Sequence, residues 1–115
     1  MIRRDGSYEV DIRRNMRGGQ GQVTIEHLWK KDELKGRTRL CARLTLQPGS
    51  SIGFHEHVDE EEVFYVVSGA GLVQDAGTEN AVAAGDTILT GGGAGHAVEA
   101  TGDTPLVMLA VIVQY

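Results

Sequence analysis

The stretch GSSIGFHEHVDEEEVFYVVSG, running from Gly49 to Gly69, decides how this chain folds and what it holds. His55 and His57 stand one residue apart within it. On a β-strand, residues i and i+2 leave the same face, so both imidazoles project to one side about 7 Å apart. On a helix the same two residues would diverge by about 200° and could not share a ligand. An acidic run, Asp59 to Glu62, follows, and then the apolar run Val63-Phe64-Tyr65-Val66-Val67. The chain must turn in the acidic run and return as a neighbouring strand. A carboxylate at the head of that strand then faces the histidine pair. Glu62 shares a face with Phe64 and Val66, whereas Glu61 shares one with Val63, Tyr65 and Val67. Parity favours Glu62 as the facing acid and leaves Glu61 as the alternative.

Outward from this stretch, short apolar runs recur between Gly, Asp, Asn and Pro, and helical periodicity is nearly absent. This is the pattern of an all-β sandwich or barrel. Tyr8, Val10 and Ile12 alternate with polar residues and are expected to form a half-buried strand. After the break Gly18-Gly19-Gln20-Gly21, the residues Val23, Ile25, His27 and Trp29 share one face of a second strand. Leu40, Ala42, Leu44 and Leu46 alternate in a third, which stops at the turn signal Gln47-Pro48-Gly49. Further strands are expected over 51–57, 62–68, 71–74, 80–83, 87–90, 96–100 and 106–115. About ten short strands joined by loops this short must run mostly antiparallel, because parallel crossovers need roughly a dozen residues or more. Residues 30–36 are the one candidate for a helical turn. The expected architecture is a single all-β domain over 21–115. Residues 1–20 precede it as a flexible arm or as a strand completed by a second subunit.

Composition narrows the function. The chain has 115 residues, 41% hydrophobic and 23% charged, which suits one globular domain with its own core. Glycine, at 16 residues, is about twice its usual share and serves turns. The net charge of −5 gives no basic face for nucleic acid. Arg3, Arg4, Arg13, Arg14 and Arg17 cluster early but are interleaved with Asp5, Glu9 and Asp11, which reads as a solvated mixed face. The single Cys41 excludes an intrachain disulfide and a cysteine zinc cage, and mid-strand it reads as an inert thiol. No apolar run is long enough for a transmembrane helix, and the first twenty residues carry no apolar signal segment. A cytoplasmic location is expected.

Three of the four histidines and one acid carry the chemistry. The third histidine, His96, follows the glycine-rich Gly91–Gly95 and shares a face with Val98 and Ala100. The spacing Gly49-x5-His55-x-His57-x4-Glu62-x6-Gly69 resembles the first cupin motif, G-x5-H-x-H-x3-4-E-x6-G, at every fixed position. The spacing Gly85-x5-Gly91-x-Gly93-x2-His96 resembles the second, G-x5-P-x-G-x2-H-x3-N, with Gly91 in place of its Pro and Ala100 in place of its Asn. Both departures fall at turn or supporting positions and leave the histidine intact. The gap between motifs, Ala70 to Ala84, is as short as in small bacterial cupins, and the motif positions span about half the chain.

The resemblance implies a small antiparallel cupin barrel, or jelly roll, with His55, His57, Glu62 and His96 on one divalent transition metal ion inside it. Three neutral imidazoles and a carboxylate suit Mn, Fe, Ni, Zn or Cu. An octahedral ion so held keeps two adjacent positions for water, O₂ or a bidentate oxyacid. In cupin enzymes the residue equivalent to Glu62 is a ligand or, in some members, a base. The implied function is a metal-dependent enzyme acting on a small polar acid or sugar-like compound, by dioxygenation, isomerisation or decarboxylation. The alternative is a non-catalytic module that binds a metal or small molecule. A homodimer is expected, because exposed sheet edges gain from pairing between subunits. Arg39 and Arg43 lie on one side of the third strand, facing either the cavity, where they could hold an anion, or solvent. His27 falls outside the motifs and reads as surface or interface, and Trp29 as core or interface.

Overall fold

The computed structural model describes residues 1–115. Ten strands form: β1 (Glu9–Arg14), β2 (Gln22–His27), β3 (Thr38–Leu46), β4 (Ser51–Glu56), β5 (Glu60–Ser68), β6 (Ala70–Asp75), β7 (Thr78–Ala83), β8 (Thr87–Gly91), β9 (Gly95–Ala100) and β10 (Leu106–Gln114). They build two sheets, ordered β1-β2-β3-β10-β5-β8 and β4-β9-β6-β7, and every pair is antiparallel. Two three-residue 3-10 turns are the sole helical elements. One, Lys31–Glu33, falls in the expected segment; the other, Met16–Gly18, falls beside the glycine break.

Period-2 alternation sends one face of each sheet inward. In β5, Glu60, Glu62, Phe64 and Val66 are buried while Glu61, Val63 and Tyr65 are exposed. In β10, Leu106, Met108, Ala110 and Ile112 are buried. From the smaller sheet, Ile52, Val73, Val98 and Ala100 meet them. Apolar burial between the two sheets is the main stabilising term, at about 25 cal/mol per Å² removed from water. The core is thickest toward one end, around Leu46, Leu106 and Met108. At the other end the inward positions become polar, and a cavity of about 620 Å³ opens.

β1 differs from expectation. It pairs with β2 along its length, yet all six of its residues are exposed. Asp11 and Arg13 stand opposite Ile25 and Val23 and so share the inward face, while Val10 and Ile12 point away from the barrel at 49% and 59% exposure. The alternation was real, but its charged half faces the cavity.

Residues 15–22 are stitched to β4. The Ser51 amide donates to the Gln20 carbonyl at 2.8 Å, and Ser50 Oγ accepts from the Gln22 amide at 3.0 Å. Gly19 and Gly53 allow the close approach. A methyl on Gly53 would run into the Arg17 carbonyl and the Gly19 amide, and one on Gly19 into the Ser51 carbonyl. The glycine break is thus a docking contact that closes the side of the barrel and holds the β1 segment across the cavity mouth.

Candidate metal centre

Each donor reaches the cavity floor for a local reason. Glu62 is inward in β5, which decides between it and Glu61. His96 is inward in β9, stacked on the Phe64 ring with centroids 4.9 Å apart and planes 9° from parallel. In β4, strict alternation from buried Ile52 would turn Phe54 inward and both histidines outward. Register against β9 slips between Ile52↔Val98 and His55↔His96, so Gly53 and Phe54 stand opposite the single residue Ala97. This β-bulge reverses the parity: Phe54 goes out to solvent, and His55 and His57 go in. Gly95 lets the strands pair there, because a side chain would meet the Phe54 ring and the His55 carbonyl. The glycine loop before His96 is pinned despite lacking the motif proline. His57 donates its amide to Ala94 and accepts from Gly93, at 3.0 and 2.8 Å.

The result is a tight group. His96 Nε2 lies 3.1 Å from His55 Nε2, His57 Nε2 and Glu62 Oε1, and His57 Nε2 lies 3.1 Å from Glu62 Oε1. The four donor atoms lie within 4.8 Å of one another. Donors about 2.1 Å from an ion and at right angles across it stand about 3.0 Å apart, so these separations fit an ion. The proton positions agree. His55 Nδ1–H donates to the Gly53 carbonyl at 2.8 Å, and His57 Nδ1–H donates to Glu60 at 2.6 Å. Those bonds assign the Nδ1–H tautomer to both rings and leave their Nε2 lone pairs aimed at one point. Burial, reinforced by His96 and His57, lowers the His55 pKa and favours its neutral, ligating form. Lone pairs and a carboxylate converging on one point repel unless a cation lies among them.

Two outer residues complete the site: Glu60, which the sequence did not single out, and Arg39, which it left facing either the cavity or solvent. Glu60 orients His57, and Arg39 holds Glu60 through a two-pronged contact at 2.9 and 2.8 Å. Arg39 reaches inward because it is the extra residue of a bulge in β3, between the pairs Leu40↔Ile112 and Thr38↔Val113. Arg43 instead stays outside, paired with Glu26 and Asp5. The Arg39 contact, with that of His57, lowers the Glu60 pKa to about 2. Its contribution to stability is therefore full above the ordinary carboxyl pKa of 4.5 and is lost as pH falls toward 2. His96 Nδ1 and Thr90 Oγ1 are buried without a partner, so His96 is oriented by packing alone. His27 lies on the cavity wall, bound to Asp11 at 2.8 Å. Trp29 lies outside, under the Arg3 guanidinium at 4.5 Å. Cys41 is half-buried, and burial raises its thiol pKa, in line with an unreactive group.

The family model for the Cupin domain matches residues 42–112. This chain belongs to the cupin family. It is 41% identical over 113 residues to an oxalate-binding protein of Thermotoga maritima, covering 98% of this cupin and 93% of that protein. A solved structure from the same organism, described as a predicted oxalate decarboxylase, superposes with a TM-score of 0.96 at 40% identity, with both chains covered completely. The polyketide cyclase RemF of Streptomyces resistomycificus shares the fold, with a TM-score of 0.78 at 19% identity, over 99% of this chain and 80% of its own.

Second-sphere carboxylates commonly contribute about 10- to 100-fold to metal affinity. Glu60→Gln is expected to weaken metal binding by about that factor with the fold retained, as read by competition with a chelator and by circular dichroism. Unchanged affinity would remove Glu60 from the site. Metal content of the parent protein is expected to fall below about pH 6, where protons compete for the imidazoles.

Proposed function

We propose that this cupin holds one divalent transition metal ion through His55, His57, Glu62 and His96 and uses it to bind a small dicarboxylic acid of the oxalate type. The observation that carries the reading is the convergence of three imidazole nitrogens and one carboxylate oxygen at the floor of an open cavity. The similarity to an oxalate-binding protein over almost the whole chain supports the choice of ligand. The bound ion supplies positive charge and open coordination positions for two oxygens of the acid. The chain's own residues do the rest: Arg39 and Glu60 keep His57 oriented, and Phe64, Ile52 and Ile112 give the cavity wall its apolar surface.

Binding is favoured over turnover by the state of the acids. Glu60 is committed to Arg39 and His57, and Glu62 Oε1 lies 3.1 Å from both His57 and His96, which places both acids in holding the donors together.

The same reading includes a homodimer formed through the outer face of the six-stranded sheet. Tyr65, Leu89 and Leu109 are exposed at one flank of that face, and Val10 and Ile12 at the other, with the Glu26–Arg43 pair between them. Apolar flanks on either side of a polar centre are self-complementary about a two-fold axis: β1 of one copy covers β5 and β8 of the other. A cytoplasmic location belongs to this reading too.

Calorimetry of the manganese-loaded protein tests the ligand. Oxalate is expected to bind once per ion, to lose its binding with the ion removed, and to exceed acetate in affinity by about ten-fold or more. Oxalate binding that ignores the metal, or none, contradicts the reading; release of formate or carbon dioxide would replace binding with catalysis. Light scattering is expected to give twice the 12.4 kDa chain mass. Leu89→Lys with Ile12→Lys is expected to halve it, and a parent protein monomeric at every concentration would refute the dimer.

A further inference from the structure

The cavity is far larger than oxalate needs. Its volume of about 620 Å³ lies in the range that encloses whole cofactor-sized molecules. Its lining is layered. The metal-binding residues and the apolar Ile25, Leu40, Leu44 and Ile52 are its buried and half-buried part, and Arg13 and Arg17 are its exposed part, at the mouth. Neither arginine makes an ion pair, as Arg3, Lys30, Arg39 and Arg43 do, so both guanidinium groups are open to an incoming anion. The one carboxylate beside them on the mouth, Asp11, is taken by His27.

The segment that bears them is built for the position. β1 turns its charged face to the cavity and its apolar face outward, the reverse of a strand that serves a core. Asn15 and Arg17 both adopt left-handed backbone conformations, with φ of 52° and 55°. Non-glycine residues hold such conformations at a cost of about 1 kcal/mol or more, and only where surrounding contacts impose them. Here those contacts are the close packing of Gly19 on Gly53 and the hydrogen bonds to Ser50 and Ser51.

We infer that Arg13 and Arg17 form a second anion-binding subsite at the cavity mouth, which takes the distal acidic group of a longer diacid whose other end chelates the metal. The ligand class is a 2-oxo or 2-hydroxy dicarboxylic acid with a short hydrocarbon middle that lies along the apolar belt. This rests on the proposed metal-dependent binding of acids and extends it from oxalate to a longer relative. Guanidinium groups suit the task, because they stay charged and grip carboxylates by two bonds.

Three acids titrated into the manganese-loaded protein test this: oxalate, 2-oxopentanoate and 2-oxoglutarate. The last two share a chelating head and chain length and differ in the distal carboxylate. The parent protein is expected to bind 2-oxoglutarate about ten-fold or more tighter than 2-oxopentanoate, less so in high salt. In Arg13→Gln with Arg17→Gln, both exposed and so replaceable without harm to the core, the preference is expected to shrink to about two-fold or less, while oxalate affinity and the melting temperature hold. No preference in the parent, or one that survives the double substitution, overturns the subsite. Oxalate bound without such a preference overturns the subsite alone. Arginine-dependent binding of 2-oxoglutarate without oxalate binding supports the subsite and overturns the oxalate reading, and failure of all three acids to bind overturns both.

Discussion

Three imidazole nitrogens and a carboxylate oxygen are pressed to within 3.1 Å of one another along four of their separations, inside a β-barrel. Donors without protons between them repel, and burial makes that repulsion costly. A cation at their centre turns the repulsion into attraction. Much of the surrounding structure keeps the donors from turning away. The Gly53 carbonyl holds one ring, Glu60 holds a second, and the Phe64 face holds the third.

Irregularities in the sheets do the aiming. Without the extra residue at Gly53–Phe54, the paired histidines would face solvent and Phe54 the cavity. Without the extra residue at Arg39, the guanidinium would lie outside with Arg43, and Glu60 would lose the partner that lowers its pKa. Bulges are concentrated where barrels bind things because they re-aim single side chains while the rest of the ladder stays paired. Gly95 and Gly19 serve the same end by letting strands approach where a side chain would collide.

Most of the fold could be read in the residues themselves, and the four donors were named as a set through the resemblance to the cupin motifs. Alternation in β5 and β10 is regular enough to assign faces, and it selects Glu62 over Glu61. The His55-x-His57 spacing carried the shared face. The bulge that turns that face inward was hidden, because Ile52 and His55 are three apart and cannot both be inward on a regular strand. Gly53, mid-strand, was the available sign. Glu60 was hidden for a related reason: its role depends on a turn that brings it back to His57, and its neighbours are also acids. β1 misled, since alternation reports two faces without saying which one is covered. The early arginines read as a solvated face because their nearness to the cavity is set by the docking of residues 15–22 on β4, a contact between distant parts of the chain.

The most direct measurement of the central claim is elemental analysis of the purified protein beside its His55→Ala, His57→Ala double variant, each after exposure to divalent manganese and gel filtration. About one ion per chain is expected in the parent and essentially none in the variant. A parent that retains no metal, or a variant that retains as much, would contradict it.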